Sequence, residues 1–249
     1  MMTAIRAEFR KLFSVRSTYI VTSLVIIAIA FIGFYVEGWR LTPHELADPG
    51  QLSSAVLGGL NFTVFGALVA ILSVTHEYRY NTIMYTLTIS NSRSKVLLAK
   101  ILTLSTYALC LTALIVILAP SMTYLGVAAH GHSFVPQTLH IWNLAWRSLF
   151  NGWAYAMAGL LLAVLIRIQV GAVAALFLIP GLVEGILGQI FKSAAPYMPF
   201  TSLSEVINSS NVPTGVKQLP PSKAALIFTA YLIGGWLVAW FLFLRRDAN

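Results

Sequence analysis

The chain has 249 residues, of which 58% are hydrophobic and only 10% charged, against roughly 25% charged in a soluble domain; this excludes a soluble globular protein and describes an integral membrane protein. Its net charge of +8 reflects topology and contact with anionic lipid, and gives little reason to think of nucleic acid. A lone cysteine, Cys110, excludes an intrachain disulfide and leaves the compartment unread.

At the amino terminus Met2, Ile5, Phe9, Leu12 and Phe13 recur at helical spacing, flanked by Arg6, Arg10 and Lys11. This predicts a basic amphipathic helix over residues 1–16, lying flat on the cytoplasmic leaflet. It serves either as a basic anchor that sets topology or as an elbow that also braces a partner. Uncharged runs then occupy residues 17–36, 49–75, 101–129, 148–166, 168–183 and 224–244. A helix needs about 20 apolar residues to cross the hydrocarbon. Five runs suffice, and the short one, 168–183, can extend through Glu184 towards Phe191. The expectation is an all-α fold of six transmembrane helices, one membrane domain over residues 1–249. The first span is too long for a signal-peptide core and lacks a small-residue cleavage site, so it is retained.

Orientation follows from the bases. Arg6, Arg10, Lys11, Arg16, Arg79, Arg93, Lys95, Lys100, Arg167, Arg245 and Arg246 fall on one side, eleven against the five of Arg40, Arg147, Lys192, Lys217 and Lys223. The positive-inside rule makes both termini cytoplasmic. The location implied is the cell's inner (plasma) membrane, multi-pass.

The cytoplasmic segment at residues 76–100 is richer than a reversal of direction requires, since 2 to 8 residues can join two helices. Tyr80, Ile83, Met84 and Leu87 follow i, i+3, i+4, i+7, which predicts a short amphipathic helix. Ser90-Asn91-Ser92 ends it, and Arg93 to Lys100 lead into the third span. Such a helix offers a surface to another protein; the alternative is a helix resting on lipid headgroups.

On the outer side, residues 181–223 form the third informative segment. Pro180, Gly181, Gly185 and Gly188 are expected to interrupt the helix around Glu184, before the proline-rich PYMPF. Non-helical backbone at membrane depth survives only when covered by protein or lining a wet cavity, which suggests a re-entrant hairpin capping the outer face. Its cap residues are Glu184, Tyr197 and Phe200. Glu184 reads as an interfacial carboxylate or, alternatively, part of an outer gate.

Several chemistries lack their motifs. No GxxxxGK[ST] phosphate loop is present, so the chain does not hydrolyse nucleotide alone. His76-Glu77 opens like HExxH, but Tyr80 stands where the second histidine is required. No GxSxG occurs, and no pair of acids lies within a span. His130-Gly131-His132 with His140 lacks a cysteine or an obvious nearby carboxylate, and reads as an ordinary polar loop, so no metal is assigned. Spans nearly free of charge argue against ion-coupled transport.

The chain resembles the ABC-2 type permeases, the membrane subunits of ATP-binding cassette exporters. The resemblance rests on Glu8 and Lys11 in RAEFRKLFSVRSTY; on Glu77, Tyr78, Arg79 and Thr82 after span two; and on Ser92-Arg93 and Lys100 entering span three. The RIQVG turn and the YMPF element are also similar, while Asn81 departs from the glycine or small residue of many relatives. The resemblance implies an elbow helix (Ile5, Phe9, Leu12, Phe13) and a coupling helix that seats in a cytoplasmic ATPase (Glu77, Tyr80, Ile83, Met84, Leu87, Arg93). It implies ATP and Mg2+ bound by that ATPase and none by this chain, and a second permease subunit, identical or paralogous. Glu77, the only acid in its loop, is expected to pair with a base of the ATPase or with Arg79 or Arg10 nearby. The transported amphiphile (peptide, antibiotic, lipid or drug) is not specified. A rival reading is a membrane scaffold or assembly factor that recruits a cytoplasmic partner without transport.

Overall fold

The computed structural model describes residues 2–42, 62–80, 82, 93–132, 141–207 and 218–245. Every regular element among them is helical: α1 (Met2–Ser14), α2 (Arg16–Phe31), α3 (Val64–Arg79), α4 (Arg93–Ala129), α5 (Ile141–Ile166), α6 (Gln169–Leu178), α7 (Glu184–Ile190), α8 (Pro199–Val206) and α9 (Pro221–Arg245). Two wide π-helical stretches, Ile32–Trp39 and Ile179–Val183, prolong α2 and join α6 to α7. A single extended residue, Val15 (φ −86°, ψ 121°), separates α1 from α2.

Five helices among the described residues are long and apolar enough to span a membrane: 16–39, 94–129, 142–166, 169–190 and 221–243. The 16 residues of α3 rise roughly 24 Å; the start of the sixth expected span, before residue 62, lies outside the described residues. Burial ranks the helices. Of the apolar windows, 56% of α5 and 39% of α4 are buried, against 17% of α2 with its extension, 17% of α6–α7 and 22% of α9. Thus α4 and α5 are central, with α3 packed on α5, and the others present Ile20, Ile27, Phe31, Phe177, Ile186, Leu226 and Leu237 outward. Apolar side chains facing out in this way are at equilibrium in hydrocarbon, not in water.

Close helix contacts use residues without bulk, as expected where lipid gives no hydrophobic drive to associate. A Cβ added to Gly159 of α5 would lie 2.7 Å from the Ala67 carbonyl oxygen of α3. One on Gly38 would lie 2.6 Å from the Thr123 carbonyl oxygen, and one on Gly126 would collide with that of Phe34, so α4 and the π-helical end of α2 touch backbone to backbone.

The glycines and proline around Glu184 do not interrupt the helix. Residues 169–190 run continuously, and the backbone instead widens into the π-helical stretch at Pro180. The physical reason is local: proline lacks the N–H of the α-helical ladder and its ring crowds the preceding turn, and a wider turn relieves both. Beyond it, Glu184 is 5% exposed and accepts hydrogen bonds from the Phe200 N–H (2.8 Å), the Thr201 N–H (2.6 Å) and the Thr201 hydroxyl (2.8 Å). It therefore caps the amino terminus of α8, satisfying donors that a helix start leaves open. Phe200 is buried against Tyr155 and Phe228, whereas Tyr197 is exposed. Asn151 of α5 fixes the same end, accepting from the Thr63 hydroxyl and donating to the Leu203 carbonyl, both at 3.1 Å.

At the opposite, basic end, α5 and α6 are joined through Arg167, whose φ of 61° is left-handed. Its N–H donates to the Ala163 carbonyl (2.9 Å), and extended Ile168 (φ −101°, ψ 124°) starts α6.

Candidate functional site

The charges of the basic end gather where three elements meet. Helix α1 turns Glu8 and Leu12, one helical turn apart, into the protein. The last turn of α3 brings Glu77, and the second turn of α4 brings Lys100, 5% exposed along its side chain. Lys100 donates to Glu8 Oε2 at 2.8 Å and to Glu77 Oε1 at 2.7 Å. Lys11, 40% exposed, donates to Glu8 Oε1 at 2.7 Å and to Glu77 Oε1 at 3.2 Å. Two carboxylates and two ammonium groups make a neutral unit, which is what allows it to be buried.

Electrostatics follow from that geometry. Burial by itself pushes the Glu8 carboxyl up, but the charges and hydrogen bonds of Lys100 and Lys11 outweigh it and hold the group below its ordinary value. Glu77 Oε2 is buried and has no hydrogen-bond partner among the described residues. A cleft of about 530 Å³ adjoins the cluster, with Val15, Thr18, Ser73, His76, Tyr80 and Thr103 in its walls.

On the far side of the same α3 turn, the Arg167 guanidinium lies over the Tyr78 ring, 5.2 Å from its centroid. The turn that carries Glu77 and Tyr78 is thus held by α1 and α4 through one residue and by the α5–α6 turn through the next. Residue 80, with its N–H on the His76 carbonyl at 3.0 Å, closes α3.

The statistical model of the ABC-2 family transporter proteins matches residues 4–188, well over half of the chain. The chain belongs to this family. No curated protein matches it in sequence. The matched stretch of this ABC-2 protein contains all four charged residues of the cluster, the Arg167–Tyr78 contact and Glu184; Tyr197 and Phe200 lie beyond it.

The structure of the ABC-2 protein redistributes the residues expected from sequence. Residues 76–79 belong to α3 and 93–100 to α4, so the helices penetrate the segment at 76–100 from both ends. Arg93 opens α4, Tyr80 is exposed, and Ile83, Met84 and Leu87 lie outside the described residues. In α1, Ile5 and Phe9 are half-buried, Leu12 is buried and Phe13 is exposed; Phe9 stacks on Phe13, which meets Tyr19 of α2. Glu77 pairs within the chain, but with Lys11 and Lys100 in place of the expected Arg79 or Arg10. Glu8, Lys11 and Lys100 had not been expected to meet. The available signal was the i, i+3 spacing of Glu8 and Lys11, together with a lysine set against a long apolar run.

Proposed function

We propose that this ABC-2 transporter is the permease subunit of an exporter driven by a separate cytoplasmic ATPase. In this reading the chain has six spans with both termini cytoplasmic, α1 is an elbow at the inner leaflet, and residues 76–100 are the coupling segment that docks into the ATPase. Two ATPases bind ATP and Mg2+, and their closure moves two permease subunits, identical or paralogous, as rigid bodies around an apolar pathway. The carried substrate is an amphiphile. At the outer face, the segment from the π-helical stretch through α8 forms the cap.

The observation that carries this reading is the ion cluster. It ties the amino-terminal helix to the last turn of α3 and the second turn of α4, which flank residues 80–92 in sequence. A loop that had only to reverse the chain needs no such mounting; a loop that transmits force does. The test is a double substitution, Ile83→Asp with Leu87→Asp, compared with the parent at matched membrane expression. Buried apolar anchors contribute on the order of 1 to 4 kcal/mol each when truncated, so the ATPase subunit no longer co-purifies with the variant. Undiminished recovery rejects docking through this face. ATP hydrolysis by the purified chain alone contradicts the division of labour.

A further inference from the structure

Arg167 occupies a backbone position that suits glycine. Its φ of 61° is uncommon for a residue with a Cβ, because the left-handed region crowds Cβ against the following carbonyl. Backbone outliers of this kind persist where the surroundings over-determine them, and they cluster at functional positions. Its side chain is partly buried, with the guanidinium over Tyr78, a residue of the last turn of α3. Planar, weakly hydrated guanidinium is suited to an aromatic face in a way an ammonium is not. Glu77, next in the chain, is gripped from the other side by Lys11 and Lys100. The last turn of α3 therefore has two independent mounts, one ionic and one through an aromatic ring.

We infer that Arg167 is a positioning residue: through Tyr78 it locks the α5–α6 turn to the last turn of α3, so that these two turns move as one body. A turn needing only to reverse direction would be served better by glycine. The contact stands on its own geometry, while its service to ATPase coupling rests on the function proposed above.

The experiment is hydrogen–deuterium exchange of the full-length chain in lipid nanodiscs, followed in peptides covering residues 76–82 and residues 158–166. Arg167→Gly keeps the turn, since glycine accepts a left-handed φ without steric cost, and removes the whole side chain, guanidinium included. The expected result is exchange at least tenfold faster in 76–82, with 158–166 unchanged. Tyr78→Leu, which leaves the turn untouched, produces the same acceleration; Tyr78→Phe, which retains a ring face, does not. Combining Tyr78→Leu with Arg167→Gly adds nothing to either alone. Parental exchange in 76–82 for Arg167→Gly overturns the proposal, as does acceleration confined to 158–166, which reduces Arg167 to a turn residue. Because no ATPase is present, failure here is distinct from failure of the docking test with Ile83→Asp and Leu87→Asp.

Discussion

Replacing Lys100 by methionine removes the cation that sits between two buried carboxylates while keeping an apolar stem of similar length. Lys100 has a 5% exposed side chain and ion pairs of 2.8 and 2.7 Å. Removing one partner of a buried ion pair costs about 3–5 kcal/mol, and here it leaves two carboxylates to share Lys11, with one net negative charge uncompensated. Lys11 makes contacts of 2.7 and 3.2 Å to the same two carboxylates but is 40% exposed, and a solvent-screened pair is worth about 0–1 kcal/mol. At about 2–4 °C per kcal/mol for a chain of this size, Lys100→Met lowers the unfolding midpoint by roughly 6–20 °C and Lys11→Met by less than about 4 °C. The assay is thermal unfolding of the purified chain in one detergent at pH 7, followed by loss of monodispersity and by near-ultraviolet dichroism. Glu8→Gln and Glu77→Gln added to Lys100→Met recover most of the loss, since no buried charge is then left uncompensated and Lys11 is solvated. Equal losses for the Lys100 and Lys11 variants, or no recovery in the triple variant, refute the reasoning from burial.

Three further outcomes are expected. The depressed Glu8 carboxyl contributes stability that is fully present above the unfolded carboxylate value of about 4.3 and lost as pH falls through the lower folded value; Glu8→Gln flattens that acid limb in midpoint measurements between pH 6 and pH 3. Glu184→Ala leaves three donors at the start of α8 unsatisfied and costs about 2–4 kcal/mol, with Glu184→Gln intermediate; thermal midpoints of the two variants check the order. Gly159→Ala forces a Cβ against the Ala67 backbone and costs about 1–3 kcal/mol, whereas Gly181→Ala, with open space around it, is neutral or stabilising by up to about 1 kcal/mol; a reversed order in the same assay counts against the packing of α3 on α5.

The helical class, five of the six expected spans and the family resemblance were legible in the sequence, because hydropathy over 20 residues is a strong signal. Helix ends were not. The uncharged runs stop at residue 75 and restart at residue 101, which leaves Glu77 and Lys100 outside the expected spans, since an unpaired charge is excluded from hydrocarbon. Here each neutralises the other, and both helices run on through them. A pairing between residues 23 and 92 positions apart leaves no local trace. Pro180 misled in the opposite direction, since a proline predicts a break and the backbone can widen instead. The left-handed Arg167 was likewise unreadable, because nothing in its type announces a positive φ.

The widened turn at Ile179–Val183 also fixes phase. Each residue of an α-helix advances the side-chain direction by about 100°, and a π-helical turn holds one residue more than an α-helical one. That surplus residue decides which side of the helix faces α8 farther along. Were the same five residues to wind as ordinary α-helix, with nothing deleted, everything beyond them would be rotated by roughly 100°. Glu184 would then swing off the amino terminus of α8 and towards lipid, with no change in the composition of the site. A relative with one residue fewer at this place would instead keep the same cap on an ordinary α-helical turn, because the lost residue and the lost widening cancel.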